Sequence, residues 1–295
     1  MMKKYLLSIA LLFVMAFTTN VFGQKYKDVF PLIKAASDDD AMLMLKEYLQ
    51  TDLEHPNSNL LIALIYEKRY KNADVLTEYE KAIANAERAK LRLTKARVLV
   101  NDREVKKNEE YYDYFANGYD SKGRPIVDYT MVSSGIIKKY DSVMLFLKKA
   151  PPIYNTFVKG VNTYDGAIKE FYKITSRYNS LDDLYLLYDE SLKNELSHLK
   201  QLYDSTIFYL DEYKSKISEY PIDGYNQTYT INDIETYRLS GLITQSDFLI
   251  NDIQLWNYGK WVDDINAVHN GEVSNLRNDI VTYEKQLDNG LKMAS

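Results

Sequence analysis

Apolar residues recur in this chain at alternating steps of three and four over long distances. Val75, Tyr79, Ala82, Ala86, Ala89, Leu93, Ala96 and Val100 form one series, and Leu196, Leu199, Tyr203, Thr206, Leu210, Tyr213 and Ile217 form another. Residues so spaced fall on one stripe of an α-helix, and a stripe of this kind is stable only against another helix. Four of the eight residues in the first series are Ala, so the covering helix can approach closely. The pattern predicts an all-α fold: helix pairs near the N-terminus, then long antiparallel helical hairpins, with at most a minor β-hairpin in the loops.

Local signals place the elements. Helices are expected over Val29 to Ala36, Asp40 to Asp52 and Asn59 to Arg69, with a long one beginning near Asp74. The acidic triplet Asp38, Asp39 and Asp40 suits the positive end of the second helix. Asn117-Gly118, Asp120, Gly123 and Arg124-Pro125 mark a loop with room for a short hairpin. Helices resume over Thr130 to Lys149, break at Pro151-Pro152 and run on to about Arg177. Ser180 to Glu219 reads as one long helix capped by Ser180. Tyr225 to Ile231 alternates, as a short strand or an extended loop does. Phe248 to Val268 is apolar on more than one side, which predicts a buried helix carrying Trp256 and Trp261. The final segment, Glu272 to Lys292, puts Val273, Leu276, Ile280, Tyr283 and Leu287 on one stripe, an antiparallel partner for the helix at 180–219. These seams close within one molecule or between two copies; the pattern allows both, so a homo-oligomer is open.

The N-terminus has the anatomy of a cleavable export signal. Lys3 and Lys4 precede a nearly continuous apolar run from Leu6 to Phe17, and Val21 and Gly23 occupy the −3 and −1 positions of a cleavage site. The expected organisation is a leader at 1–23, a first helical region at 24–115, a loop at 116–129 and a long-helix region at 130–295. No later segment reaches membrane-spanning length. The expected location is the periplasm of a Gram-negative cell, with secretion or the outer surface as the alternative.

Composition narrows the function classes. With 46% hydrophobic residues and only 11 Gly and 6 Pro in 295, the chain can build a core. A net charge of −5 argues against nucleic acid as the partner. The absence of Cys excludes disulfides, thiol nucleophiles and Cys-based zinc sites.

The stretch from Pro56 to Ala82 resembles a tetratricopeptide repeat. Ile62, Ala63 and Tyr66 match the large, small and aromatic positions of that repeat's first helix, and Val75, Tyr79 and Ala82 those of its second. The string Glu78-Tyr79-Glu80-Lys81-Ala82-Ile83 is typical of the motif. Met44, Tyr48 and Pro56 fit the second half of a preceding unit, so the match covers about one and a half units. Val75 stands where Ala is usual, and Glu87 where the closing Pro belongs. The resemblance implies a protein-binding scaffold; periplasmic members often serve secretion, envelope-assembly or motility complexes.

Catalytic signatures are not evident. The sequence has no Gly-x-Ser-x-Gly elbow, Gly-rich phosphate loop or His-Glu-x-x-His pair. His55, His198 and His269 are far apart in sequence, and Asp182-Asp183 and Asp263-Asp264 are adjacent acids that point apart on a helix. No catalytic residue, metal ligand or cofactor is assigned. The basic series Arg88, Lys90, Arg92, Lys95 and Arg97 reads as a solvated helix face, with docking of an acidic partner or phosphate as the alternative.

The unusual feature of composition is 27 Tyr. Tyr111, Tyr112, Tyr114 and Tyr119 lead into the first loop, and Tyr220, Tyr225 and Tyr229 lie around the second. Aromatics outside the helical period can anchor a partner or stack on a sugar. The leading reading is a non-enzymatic scaffold or adaptor for protein partners of the cell envelope. The alternative is a secreted carbohydrate or small-ligand binder using Tyr225, Tyr229, Trp256, Tyr258 and Trp261, and a third reading is an unrecognised hydrolase.

Overall fold

The computed structural model describes residues 25–222, 229–234 and 253–294. The expected leader, Tyr225 and residues 235–252 lie outside the described residues. Among the described residues the fold is all-α with one small sheet. The chain divides into two compact units, one up to Lys148 and the other from Lys149; the loop expected at 116–129 lies inside the first.

The first unit opens with α1 (Tyr26–Ala35), α2 (Asp38–Thr51), α3 (Pro56–Asn72) and α4 (Tyr79–Leu99). Ser37 caps α2 by accepting from the Asp40 N–H at 3.2 Å. The acidic triplet therefore sits in the first turn, beside the helix's positive end, and Asp38 pairs with Lys68 of α3 at 2.7 Å. Pro56 occupies the start of α3, where its missing N–H costs nothing. An Asp74 carboxylate accepting from the Leu76 and Thr77 N–H groups (2.9 and 2.7 Å) shapes the turn into α4, so the helix starts later than the seam suggests.

Ala82, Ala86, Ala89, Leu93 and Ala96 are all fully buried, and α4 packs against α3. The alanine seam thus does what its small side chains predict. Three members of the basic series are engaged beside it. Arg92 donates to the Asn59 side chain at 2.7 Å, and Arg88 and Arg97 lie over the rings of Tyr66 and Tyr140 at 5.7 and 4.7 Å. Cation–π contacts of this kind are worth about 0.5–1 kcal/mol each at exposed sites.

A short helix α5 (Asp102–Lys107) and a 3₁₀ segment (Glu109–Phe115) follow. They bury Tyr111 and Tyr112 and leave Tyr114 and Tyr119 exposed. The loop behind them folds back on itself through an isolated antiparallel bridge, Tyr119 to Pro125. Gly123 there has φ +76°, a conformation glycine adopts without penalty.

α6 (Tyr129–Thr175) corrects one expectation, for Pro151-Pro152 lies inside the helix. Each proline keeps a helical φ and forfeits its N–H. Burial of Phe146 before the pair, and of Ile153 and Phe157 after it, outweighs the two lost backbone bonds.

The second unit holds the long hairpin. Residues 149–175 of α6 run antiparallel to α8 (Glu190–Glu219), as the ladder Lys149–Glu219, Phe157–Tyr213, Thr163–Thr206 and Lys173–Glu195 shows. The predicted seam from Leu196 to Ile217 is buried throughout. The single helix expected over 180–219 is two. α7 (Leu181–Leu186) ends at a turn around Tyr188, and Asp189 opens α8 by accepting from the Leu192 N–H at 2.8 Å. Tyr188 is drawn into the turn because its hydroxyl donates to Asn266 (2.7 Å) and its ring stacks on His269.

The small sheet is parallel. β1 (Tyr229–Asn232) pairs with β2 (Ile253–Trp256), Tyr229 opposite Ile253. Residues 253–256, read as helix, alternate buried and exposed, the strand period. Asn257 then caps α9 (Tyr258–Val268) by accepting from the Lys260 N–H at 2.9 Å. It is α9 that packs on α8. A π-helical turn (His269–Val273) leads into α10 (Ser274–Ala294). The expected pairing of this last segment with the helix at 180–219 is not found, and its stripe faces solvent.

Candidate functional site

A helix whose apolar residues cover more than one face needs more than one cover. Leu60 to Tyr66 of α3 is an unbroken apolar run. Ile62, Ala63 and Tyr66 are buried, whereas Leu61, Leu64 and Ile65 are only half-buried. These three line a groove of about 520 Å³ in the first unit, closed on the other side by Ile33, Ala41 and Leu45 of α1 and α2. The size falls within the range of ligand sites.

Cations surround this apolar trough. Lys34, Lys68, Lys71 and Lys139 line it together with the acids Asp38 and Glu67. Glu67 is buried, 4% exposed, and accepts from Lys71 Nζ at 2.6 Å and Lys139 Nζ at 2.7 Å. A carboxylate this buried requires a cationic partner, and two are supplied. The second leaves local positive charge. Lys34 pairs with Asp113 and Lys68 with Asp38, both on the surface. Such exposed pairs contribute about 0–1 kcal/mol, so an incoming carboxylate exchanges with them at little cost. Tyr114 forms one end, with the Lys139 ammonium 5.0 Å from its ring centre.

The arrangement offers a half-covered apolar floor, ion-paired ammonium groups and an exposed phenol. It suits an apolar ligand carrying carboxylates. Sequence reasoning missed the groove, and the available signal was the run Leu60 to Tyr66, too long for one face. Tyr114, by contrast, was singled out as a non-periodic aromatic.

The aromatic set proposed for ligand stacking is placed differently. Tyr258 is fully buried, its ring 5.0 Å from Phe171, and burial drives its phenol pKa well upward. Trp261 is buried edge-on against Phe171 at 4.8 Å. Neither presents the open ring face that sugar stacking needs, because the approach of α9 to α6 consumes both. Close approach also fixes Gly259, where a Cβ would stand 2.9 Å from the Tyr203 ring. Trp256 and Tyr229 are half-buried on the ribbon. The Trp256 backbone N–H donates to the Tyr164 hydroxyl (2.7 Å), and the Tyr229 hydroxyl donates to Asp211 (2.9 Å). Burial and then that carboxylate push the Tyr229 phenol up to about 12. Tyr225 lies outside the described residues.

His55 caps α3 among aromatic rings, His269 stacks on Tyr188 at 3.7 Å, and His198 is exposed on α8. Among the described residues no cluster of three or more His, Asp or Glu is arranged to hold a metal ion, and no helix is long and apolar enough to cross a membrane. No family model matches the chain, and neither a curated protein nor a solved structure shows detectable similarity to it.

Proposed function

We propose that this protein is an exported, non-enzymatic helical scaffold of the cell envelope that holds a protein partner in the groove beside α3. The observation that carries the reading is the juxtaposition of half-covered Leu61, Leu64 and Ile65 with four lysines. An amphipathic segment with Leu-type residues at i, i+3 and i+4 and carboxylates on its flanks is the complementary ligand. The apolar contacts hold the segment; the lysines choose an acidic one and speed its approach. The tetratricopeptide-like residues of α3 and α4 agree with a binding role. Export follows from the leader-like N-terminus, with release from the cell as the other destination.

The test uses synthetic helical peptides with that Leu spacing, flanked by Glu in one set and by Lys in the other, titrated by fluorescence anisotropy. Saturable binding of the Glu set is expected, falling as salt is raised from 50 to 300 mM, because exposed charges are screened over about 10 Å at 0.1 M. Leu64→Asp, at a half-exposed position, is expected to weaken it at least tenfold with the circular dichroism spectrum unchanged. Equal binding of both sets, or of neither, overturns the groove assignment. Cell fractionation that leaves the chain in the cytoplasm overturns the location.

A further inference from the structure

α10 presents Leu276, Ile280, Tyr283 and Leu287 at steps of four, three and four, with exposures of 60, 48, 71 and 67%. The same spacing on α8 is buried along its whole length. A seam with a 3.5-residue repeat fits another helix better than any other cover. A single helix of this length is marginal in water unless its apolar side is covered. We propose that α10 pairs antiparallel with α10 of a second copy of this chain.

Charge and symmetry select this occupant. With Ile280 and Leu287 at a positions and Leu276 and Tyr283 at d, the seam is flanked by Arg277 and Glu284 at e and by Asp279 and Gln286 at g. In a parallel in-register pair, each Asp279 faces Glu284 of the other copy, two like-charge contacts. The compensating Glu272–Arg277 contacts begin in the π-helical turn, outside α10. Turning one helix around places Leu276 opposite Leu287 and Ile280 opposite Tyr283, in four apolar layers related by a two-fold axis. That arrangement sets Arg277 beside Glu284 twice and Asp279 beside the uncharged Gln286 twice. A surface that complements itself under a two-fold rotation is the requirement of an isologous dimer. Arg277 already anchors the root of the helix, its Nη2 donating to the Leu186 carbonyl at 3.2 Å. Its planar guanidinium has five N–H donors, enough for that contact and a carboxylate together.

Equilibrium sedimentation of the purified chain is expected to show twice the mass of one copy. Glu284→Arg sets Arg against Arg twice and is expected to weaken the dimer roughly tenfold. The Arg277→Glu/Glu284→Arg double variant restores it. Glu284 lies on an exposed helix, and because Arg277 also holds the Leu186 carbonyl, both variants are checked for folding by circular dichroism. Orientation is read by disulfides, which the Cys-free chain allows without background. Leu276→Cys mixed with Leu287→Cys is expected to cross-link, and neither alone. A chain that stays monomeric at 100 μM, because a different protein or nothing covers the stripe, overturns the proposal. Cross-linking of Leu287→Cys to itself, which reports parallel helices, also overturns it. Peptide binding at the groove does not enter either readout.

Discussion

His55 shows how one side chain links capping, packing and pH. Its Nδ1 accepts from the Ser58 N–H at 3.2 Å and lies 2.9 Å from the Ser58 hydroxyl, while its ring packs 3.9 Å from that of Tyr26. Protonation at Nδ1 removes the acceptor and places a charge among aromatic rings. Burial accordingly lowers its pKa, against the smaller opposing pull of Asp52 and Glu104. The unfolded chain then binds the proton more readily than the folded one. The stabilisation is complete above the ordinary histidine pKa near 6.5 and is lost as pH falls below it. Thermal unfolding should therefore show a drop in Tm between pH 7 and pH 5. His55→Asn, which keeps a cap but does not titrate, should shrink that drop; an unchanged drop excludes His55 as its source. At pH 7, His55→Ala should cost about 1 kcal/mol of cap energy in urea unfolding.

At the scale of elements, the two seams were readable because each lies almost wholly on one helix and needs one neighbour. Ala86 makes the point sharply. It is fully buried on the helix that packs against α3, and enlarging its methyl to an isobutyl side chain adds three carbons to a packed interior. Ala86→Leu should destabilise the first unit by about 1–3 kcal/mol, seen as a lower urea midpoint. Ala86→Gly should instead cost about 1 kcal/mol through helix propensity. Equal effects of the two would show that the helices do not approach closely. The misread elements fail for a common reason. Pro151-Pro152 breaks an isolated helix, Leu181 to Ser191 extends one, and Ile253 to Trp256 joins the helix after it only if neighbours are ignored. Tertiary burial overrode the prolines, and Tyr188's contacts with Asn266 and His269 ended α7. Pairing with β1 drew 253–256 into a strand.

For the whole molecule, the tyrosine-rich composition becomes a property of the folded state. Burial raises the phenol pKa values of Tyr26, Tyr112 and Tyr258, and lifts Tyr203 to about 12. The folded chain holds these protons above pH 10, where the unfolded chain releases them. The stabilisation is therefore full below pH 10, the unfolded value, and is lost as pH rises from there through the raised folded values. Alkaline titration should show a late fraction of tyrosinate absorbance appearing together with loss of helical circular dichroism. Tyrosinate that forms completely while helicity is intact would contradict these burials. By itself, the sequence determined the helical class, the two internal seams and the stripe on α10, because a helix's face follows from spacing along one segment. It also singled out Tyr114. Tertiary structure alone decided that α9 covers α8 and that Tyr258 and Trp261 pack on Phe171. The groove beside α3, with Lys34, Lys68, Lys71 and Lys139 gathered around Glu67, was likewise its work. These depend on which distant segments meet, and burial rewards any apolar partner of suitable shape, so a one-dimensional pattern leaves that choice open.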